Sequence, residues 1–91
     1  MYTIEASQYF LRRAKKFLKK HPDLKNGFAE TVDDLRKDPF QPRLALHGLV
    51  GKMKDCCAVS FTHSYRITLT LMITEKEIIL LDIGSHDEVY K

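Results

Sequence analysis

Four histidines (His21, His47, His63 and His86), Arg66, Tyr90 and the lysines Lys52 and Lys54 are the side chains able to do chemistry in this chain. An imidazole exchanges its proton near neutral pH. A guanidinium presents forked N–H donors to an oxyanion. The run Ile83-Gly84-Ser85-His86-Asp87-Glu88-Val89-Tyr90 is the most informative stretch. It leaves a strand through Gly84 and sets a histidine, two carboxylates and a tyrosine at a sheet edge. His86 and Tyr90 are four apart, so one helical turn would put them on the same side. The plain alternative is a C-terminal cap whose Val89 and Tyr90 cover the core; an imidazole at position 86 adds little to such packing. The chain has no nucleophile elbow, no glycine-rich phosphate loop and no CxxC pair. Cys56 and Cys57 are adjacent and lack the spacing of paired metal ligands, so neither a metal nor another cofactor is expected.

The elements that must position these groups follow from periodicity. Tyr2–Glu5 alternates and predicts a short strand. Ser7 reads as an N-cap, and Phe10, Leu11, Ala14, Phe17 and Leu18 recur at helical spacing, predicting a helix over 7–20. His21-Pro22 breaks it. Leu24, Phe28, Val32 and Leu35 predict a second helix over 22–37, closed by Asp38-Pro39 and packed as a hairpin with the first. Residues 40–54 read as irregular, with a short strand around Leu44–Leu46. Alternation then predicts strands over Asp55–Thr62, Tyr65–Ile73 and Glu77–Ile83, joined by links short enough to imply antiparallel neighbours. In the second, Ile67, Leu69, Leu71 and Ile73 share a face; in the third, Ile79, Leu81 and Ile83 do. The expected fold is α+β, in the order β-α-α-β-β-β: an antiparallel sheet with the helical hairpin on one face. The other face, with Ala58, Ser60, Thr62, Arg66, Thr68 and Thr70, would be a polar groove floor. A one-residue slip in register would bury Arg66 instead.

At 91 residues, 44% apolar and 30% charged, the chain holds one core, and 1–91 is expected to be a single domain. The N-terminus lacks a signal-peptide layout and no apolar run is long enough to span a bilayer, so a cytoplasmic location without membrane contact is expected. The formal charge is only +3, but Arg12, Arg13, Lys15, Lys16, Lys19 and Lys20 crowd into a stretch with no acidic residue. Such a patch suits a polyanion or an acidic protein, or is simply a solvated helix face.

Three segments carry a family resemblance. Leu46-His47-Gly48-Leu49-Val50-Gly51-Lys52-Met53-Lys54, Ser64-Tyr65-Arg66-Ile67 and the ending Leu81–Tyr90 together resemble the RelE/ParE toxin superfamily, within it the RelE/YafQ-like branch. The resemblance spans most of the chain; the Y-R-I strand and the I-G-x-H-D-E-V-Y ending are its specific parts. It implies a RelE-like toxin that cleaves mRNA, typically on the ribosome. It also implies control by a cognate antitoxin, short, acidic and DNA-binding, in a heterodimer or heterotetramer. Arg66 matches the strand arginine at the scissile phosphate, His86 the C-terminal histidine or basic position, Tyr90 the terminal aromatic, and His47 the histidine before the glycine turn. Lys52 and Lys54 fall near the lysines of the RelE-type site. His63 aligns with a family histidine only across a gap. The chain departs from the pattern at Cys57, where an aromatic is common, and at Ser64, where YafQ-like members carry an aspartate.

The chemistry so implied is attack of the RNA's own 2′-OH on the adjacent phosphate. It needs a base, an acid and a cation for the charge gained by phosphorus. His86 and His47 are the acid–base pair, in either order, and Arg66 holds the phosphate. Tyr90 stacks on a base or shares in proton transfer, and Lys52, Lys54 and His63 hold the flanking RNA. Arg12, Arg13, Lys16 and Lys20 would meet the antitoxin or the ribosome. The rival readings are a ParE-like inhibitor of DNA gyrase and a non-catalytic protein-binding module.

Overall fold

The structure is a computed structural model and describes residues 1–51 and 55–89. Its strands are β1 (Thr3–Ala6), β2 (His47–Gly48), β3 (Cys57–Ser60), β4 (Tyr65–Met72) and β5 (Glu77–Ser85). Its helices are α1 (Gln8–Lys20), α2 (Lys25–Lys37) and the single turn α3 (His86–Val89). The five strands form one sheet in the order β1-β5-β4-β3-β2.

The helical hairpin forms for the reasons legible in its residues. Ser7 accepts the Phe10 N–H at 3.0 Å, satisfying one of the unpaired donors of the first turn. Lys19 and Lys20 sit in the last turn, where the helix dipole favours cations. Phe10 and Ala14 are buried on α1, and Thr31 and Leu35 on α2. Pro22–Leu24 forms a separate 3₁₀ turn, so the second helix starts at Lys25 rather than at 22. Phe10, Ala14 and Leu35 pack with Val59, Ile67, Leu69, Ile78, Leu80 and Ile83 to make the core between the hairpin and the sheet.

The sheet differs from the expected one in three ways. It is mixed: β1 runs parallel to β5, with Ile4 opposite Ile78 and Ala6 opposite Leu80. No tight turn joins these two strands, so nothing local imposes an antiparallel pairing. The short second strand lies at His47–Gly48 and not around Leu44–Leu46. Leu44 is buried in a 3₁₀ turn, and Ala45 takes a left-handed φ of 49°, so the chain straightens only beyond it. The third difference concerns β5. The inward residues are Ile78, Leu80 and Ile83, not Ile79, Leu81 and Ile83. Thr68 pairs with Asp82 while Leu69 pairs with Leu80, leaving Leu81 as an extra residue. This bulge reverses the alternation midway along the strand. Ile73, expected on the inner face of β4, is 59% exposed in the turn that follows.

The face away from the hairpin is not an open floor along its whole length. α3 packs back on β4 and β5, and Val89 is buried without joining the hairpin-side core. Ala58 and Thr68 on that face are both fully buried. No helix of the described residues is long and apolar enough to cross a membrane.

Candidate functional site

Register places the candidate side chains. Arg66 stands opposite Ser60 on β3 and Gly84 on β5. Its neighbours Tyr65 and Ile67 alternate to the hairpin side, where Ile67 is fully buried, so Arg66 lies on the far face. Its Nη1 donates to the carbonyls of Thr62 at 3.3 Å and of Tyr65 at 3.2 Å. Those contacts hold the half-buried guanidinium at the start of β4. His47 stands opposite Ala58, which stands opposite Thr68. It therefore occupies the same face two strands from β4, and strand geometry puts its Cα about 12 Å from that of Arg66. Its Nδ1 lies 3.0 Å from the Ala45 carbonyl, a contact that requires the proton on Nδ1.

His86 is delivered by a capping box at Ser85-His86-Asp87-Glu88. Ser85 N–H donates to Glu88 Oε1 at 2.9 Å, and Glu88 N–H donates to Ser85 Oγ at 3.4 Å. The Ser85 N–H, then its hydroxyl, hold the Glu88 carboxyl below the usual carboxylate range. His86 is the first residue of α3, its side chain 69% exposed, with Nδ1 3.6 Å from Asp87 Oδ1. Arg13 reaches this turn from α1. Its Nε donates to Asp82 Oδ1 at 2.8 Å, its Nη2 to the Ile83 carbonyl at 3.1 Å, and Nη2 lies 3.8 Å from Glu88 Oε2. The Asp82 hydrogen bond is the main reason the Arg13 pKa is raised. Gly84 is required by this crowding: a Cβ there would lie 3.1 Å from Arg13 Nη2, 3.1 Å from Glu88 Oε1 and 3.2 Å from Glu88 Cβ.

Arg66 and His47 thus share the far face, and His86 opens the α3 turn that follows β5. His63 is exposed in the bend between β3 and β4. Lys52, Lys54 and Tyr90 lie outside the described residues. Arg12, Lys16 and Lys20 are exposed on α1, whereas Arg13 is half-buried in the ion pairs just described. His21, counted among the four histidines but given no role from the sequence, and Tyr65, not singled out there, stand together in the structure. The Tyr65 ring meets Phe17 edge-on with centroids 4.8 Å apart, and its hydroxyl lies 3.5 Å from His21 Nε2. The two rings form one wall of a cleft of about 260 Å³ between α1 and the adjoining ends of β4 and β5. The available signal was His21 one turn beyond Phe17, with Lys16 and Lys20 beside it.

This element order, the mixed five-stranded sheet and the hairpin on one face are the RelE/YafQ-like toxin fold. Among solved structures, the chain superposes on YafQ from Escherichia coli with a TM-score of 0.82 at 18% identity, covering 100% of both chains. It also superposes on a metal-bound toxin from Helicobacter pylori, with a TM-score of 0.80 at 28% identity over 99% of this chain and 100% of that one. YafQ in the Escherichia coli DinJ–YafQ complex gives 0.81 at 18% identity, again over 100% of both chains. No protein-family model and no curated protein matches the sequence.

Proposed function

We propose that this protein is the toxin of a type II toxin–antitoxin pair and an endoribonuclease that cleaves mRNA in the cytoplasm, on the ribosome. The observation that carries the reading is the placement of Arg66 and His47 on one sheet face, with His86 presented by the capped turn that follows Gly84. The whole-chain likeness to solved toxins supports it, and the DinJ–YafQ toxin–antitoxin complex supports a cognate antitoxin as partner.

In this mechanism one imidazole of the His47/His86 pair removes the 2′-OH proton. The 2′ oxygen attacks phosphorus, and the other imidazole protonates the departing 5′ oxygen. The products are a 2′,3′-cyclic phosphate and a free 5′-OH, with no change in oxidation state. Arg66 neutralises the charge gathered on the phosphoryl oxygens, an effect worth about 10²–10³ in rate for one well-placed donor. Lys52, Lys54 and His63 hold flanking RNA, and Tyr90 stacks on a base or shares in proton transfer. Arg12, Lys16 and Lys20 form the basic side of the molecule that faces the antitoxin or ribosomal RNA, with Arg13 held inward by Asp82 and Glu88.

Induced expression with mapped transcript ends tests this. The wild type is expected to arrest growth and cut within coding sequences. Arg66→Ala and His86→Ala are expected to lower cleavage at least 100-fold while melting within a few degrees of the wild type. Growth arrest with intact transcripts and inhibited DNA supercoiling would replace the nuclease with a gyrase inhibitor.

A further inference from the structure

The cleft between α1 and the ends of β4 and β5 has no part in the chemistry above. We propose that it is a second nucleotide subsite, which holds the single-stranded RNA unit next to the one being cut. The identity of the RNA as substrate rests on the nuclease reading; the location and chemistry of the subsite rest on the cleft itself.

Position comes first. Ser85 and Glu88 line the cleft and bracket His86 in sequence. Consecutive Cα atoms are about 3.8 Å apart. Tyr65 and Ser85 pair at the end of the sheet, and Arg66 and His86 are their next residues, so a strand engaged at those two groups reaches the cleft by passing over that end of β4 and β5.

Chemistry comes second. Lys16 and Lys20 are exposed and line the cleft from α1. Four residues apart on a helix, their Cβ atoms are neighbours about 5–6 Å apart, a spacing at which both ammonium groups reach one phosphate. The His21 and Tyr65 rings, with centroids 5.2 Å apart, form an aromatic wall backed by Phe17. Cations beside flat rings are what a single strand requires: ammonium groups follow the backbone, and any base can stack on the ring. Glu88 also lines the cleft, its carboxyl held below the usual range by the Ser85 N–H and hydroxyl and then by Arg13 and Lys20. Arg13 is paired with Asp82 and Glu88, so the ammonium groups of Lys16 and Lys20 keep the lining positive.

Size and the aromatic wall together favour RNA over a helical acidic partner. A volume of about 260 Å³ suits one nucleotide. A partner helix, roughly 10–12 Å across with its side chains, does not enter it.

The test is binding of a fluorescein-labelled, single-stranded 2′-O-methyl RNA hexamer, read by anisotropy across a salt series. This probe has no free 2′-OH and is not cut, so the measurement stands whatever the Arg66 and His86 variants show. Lys16→Ala/Lys20→Ala is expected to bind at least 10-fold more weakly. Its plot of log affinity against log salt should flatten by about 1.4, since each phosphate contact to a single strand contributes about 0.7. His21→Ala is expected to weaken binding about threefold or more with the wild-type slope. Lys15→Ala/Lys19→Ala removes the same charge from the same helix outside the cleft and should cost less than threefold. Equal losses in the two double variants would reduce the effect to a diffuse charge field and overturn the proposal. So would tighter binding of an oligoglutamate peptide than of the hexamer, lost in the Lys16→Ala/Lys20→Ala protein.

Discussion

Replacing Gly84 with alanine adds one methyl group at the most crowded point of the α3 anchor. The new carbon would stand 3.1 Å from Arg13 Nη2, 3.1 Å from Glu88 Oε1 and 3.2 Å from Glu88 Cβ. The two atoms at 3.1 Å are committed elsewhere: Arg13 Nη2 donates to the Ile83 carbonyl, and Glu88 Oε1 accepts the Ser85 N–H. Either α3 lifts from β5 or both contacts loosen. Forcing a methyl into a packed site costs typically about 1–3 kcal/mol, and losing a helix cap adds about 1 kcal/mol. Stiffening of the unfolded chain by Gly→Ala returns about 0.4–1 kcal/mol. The net expectation is a destabilisation of about 1–3 kcal/mol, or roughly 4–8 °C in Tm per kcal/mol for a domain of this size. Urea unfolding measures it, and a double-mutant cycle with Glu88→Ala locates it. Removing Oε1 takes away one of the three close contacts, so the two substitutions should couple by at least about 0.5 kcal/mol. RNA cleavage should fall by more than the loss of folded protein explains, because His86 opens the turn that Gly84 seats. A Gly84→Ala protein as stable and as active as the wild type would refute the argument that α3 is held by this contact.

Two further outcomes are expected from the titrating groups. The Ser85 N–H and hydroxyl hold the folded-state pKa of Glu88 below its ordinary value, so the unfolded chain binds the proton more tightly. The stabilisation is present above the usual carboxylate pKa of about 4.3 and is lost as pH falls through the lower folded value. Glu88→Gln should therefore lower stability at pH 7 and flatten the acid limb of the stability–pH curve, the two proteins converging at low pH. Burial, and then the neighbouring Cys56, raise the Cys57 thiol pKa. Iodoacetamide at pH 8 should alkylate Cys57 more slowly in the folded protein than in urea, with mass spectrometry of the peptide as the readout.

Much of the architecture is written in local spacing. The Ser7 cap, the Phe10/Ala14 stripe, the break at Pro22 and the alternation of β4 are properties of a few consecutive residues, and they form wherever the chain goes. Arg66 lies away from the hairpin because Ile67 and Leu69 alternate with it and claim the core. The pairing of β1 with β5 is different in kind, because those strands meet across more than seventy residues of chain. The bulge at Leu81 is invisible to an alternation rule, since every residue from Ile78 to Leu81 is apolar and either parity reads as a strand. The return of α3 onto β4 and β5, which buries Val89, and the cleft that joins Lys16 and Lys20 to Tyr65 and Ser85, require side chains distant in sequence to come into contact. Residue types and periods thus set which groups could act and on which face of β4 Arg66 stands. Only the packed chain set which of those groups meet, because tertiary neighbours are chosen by the burial of surfaces that no short segment contains.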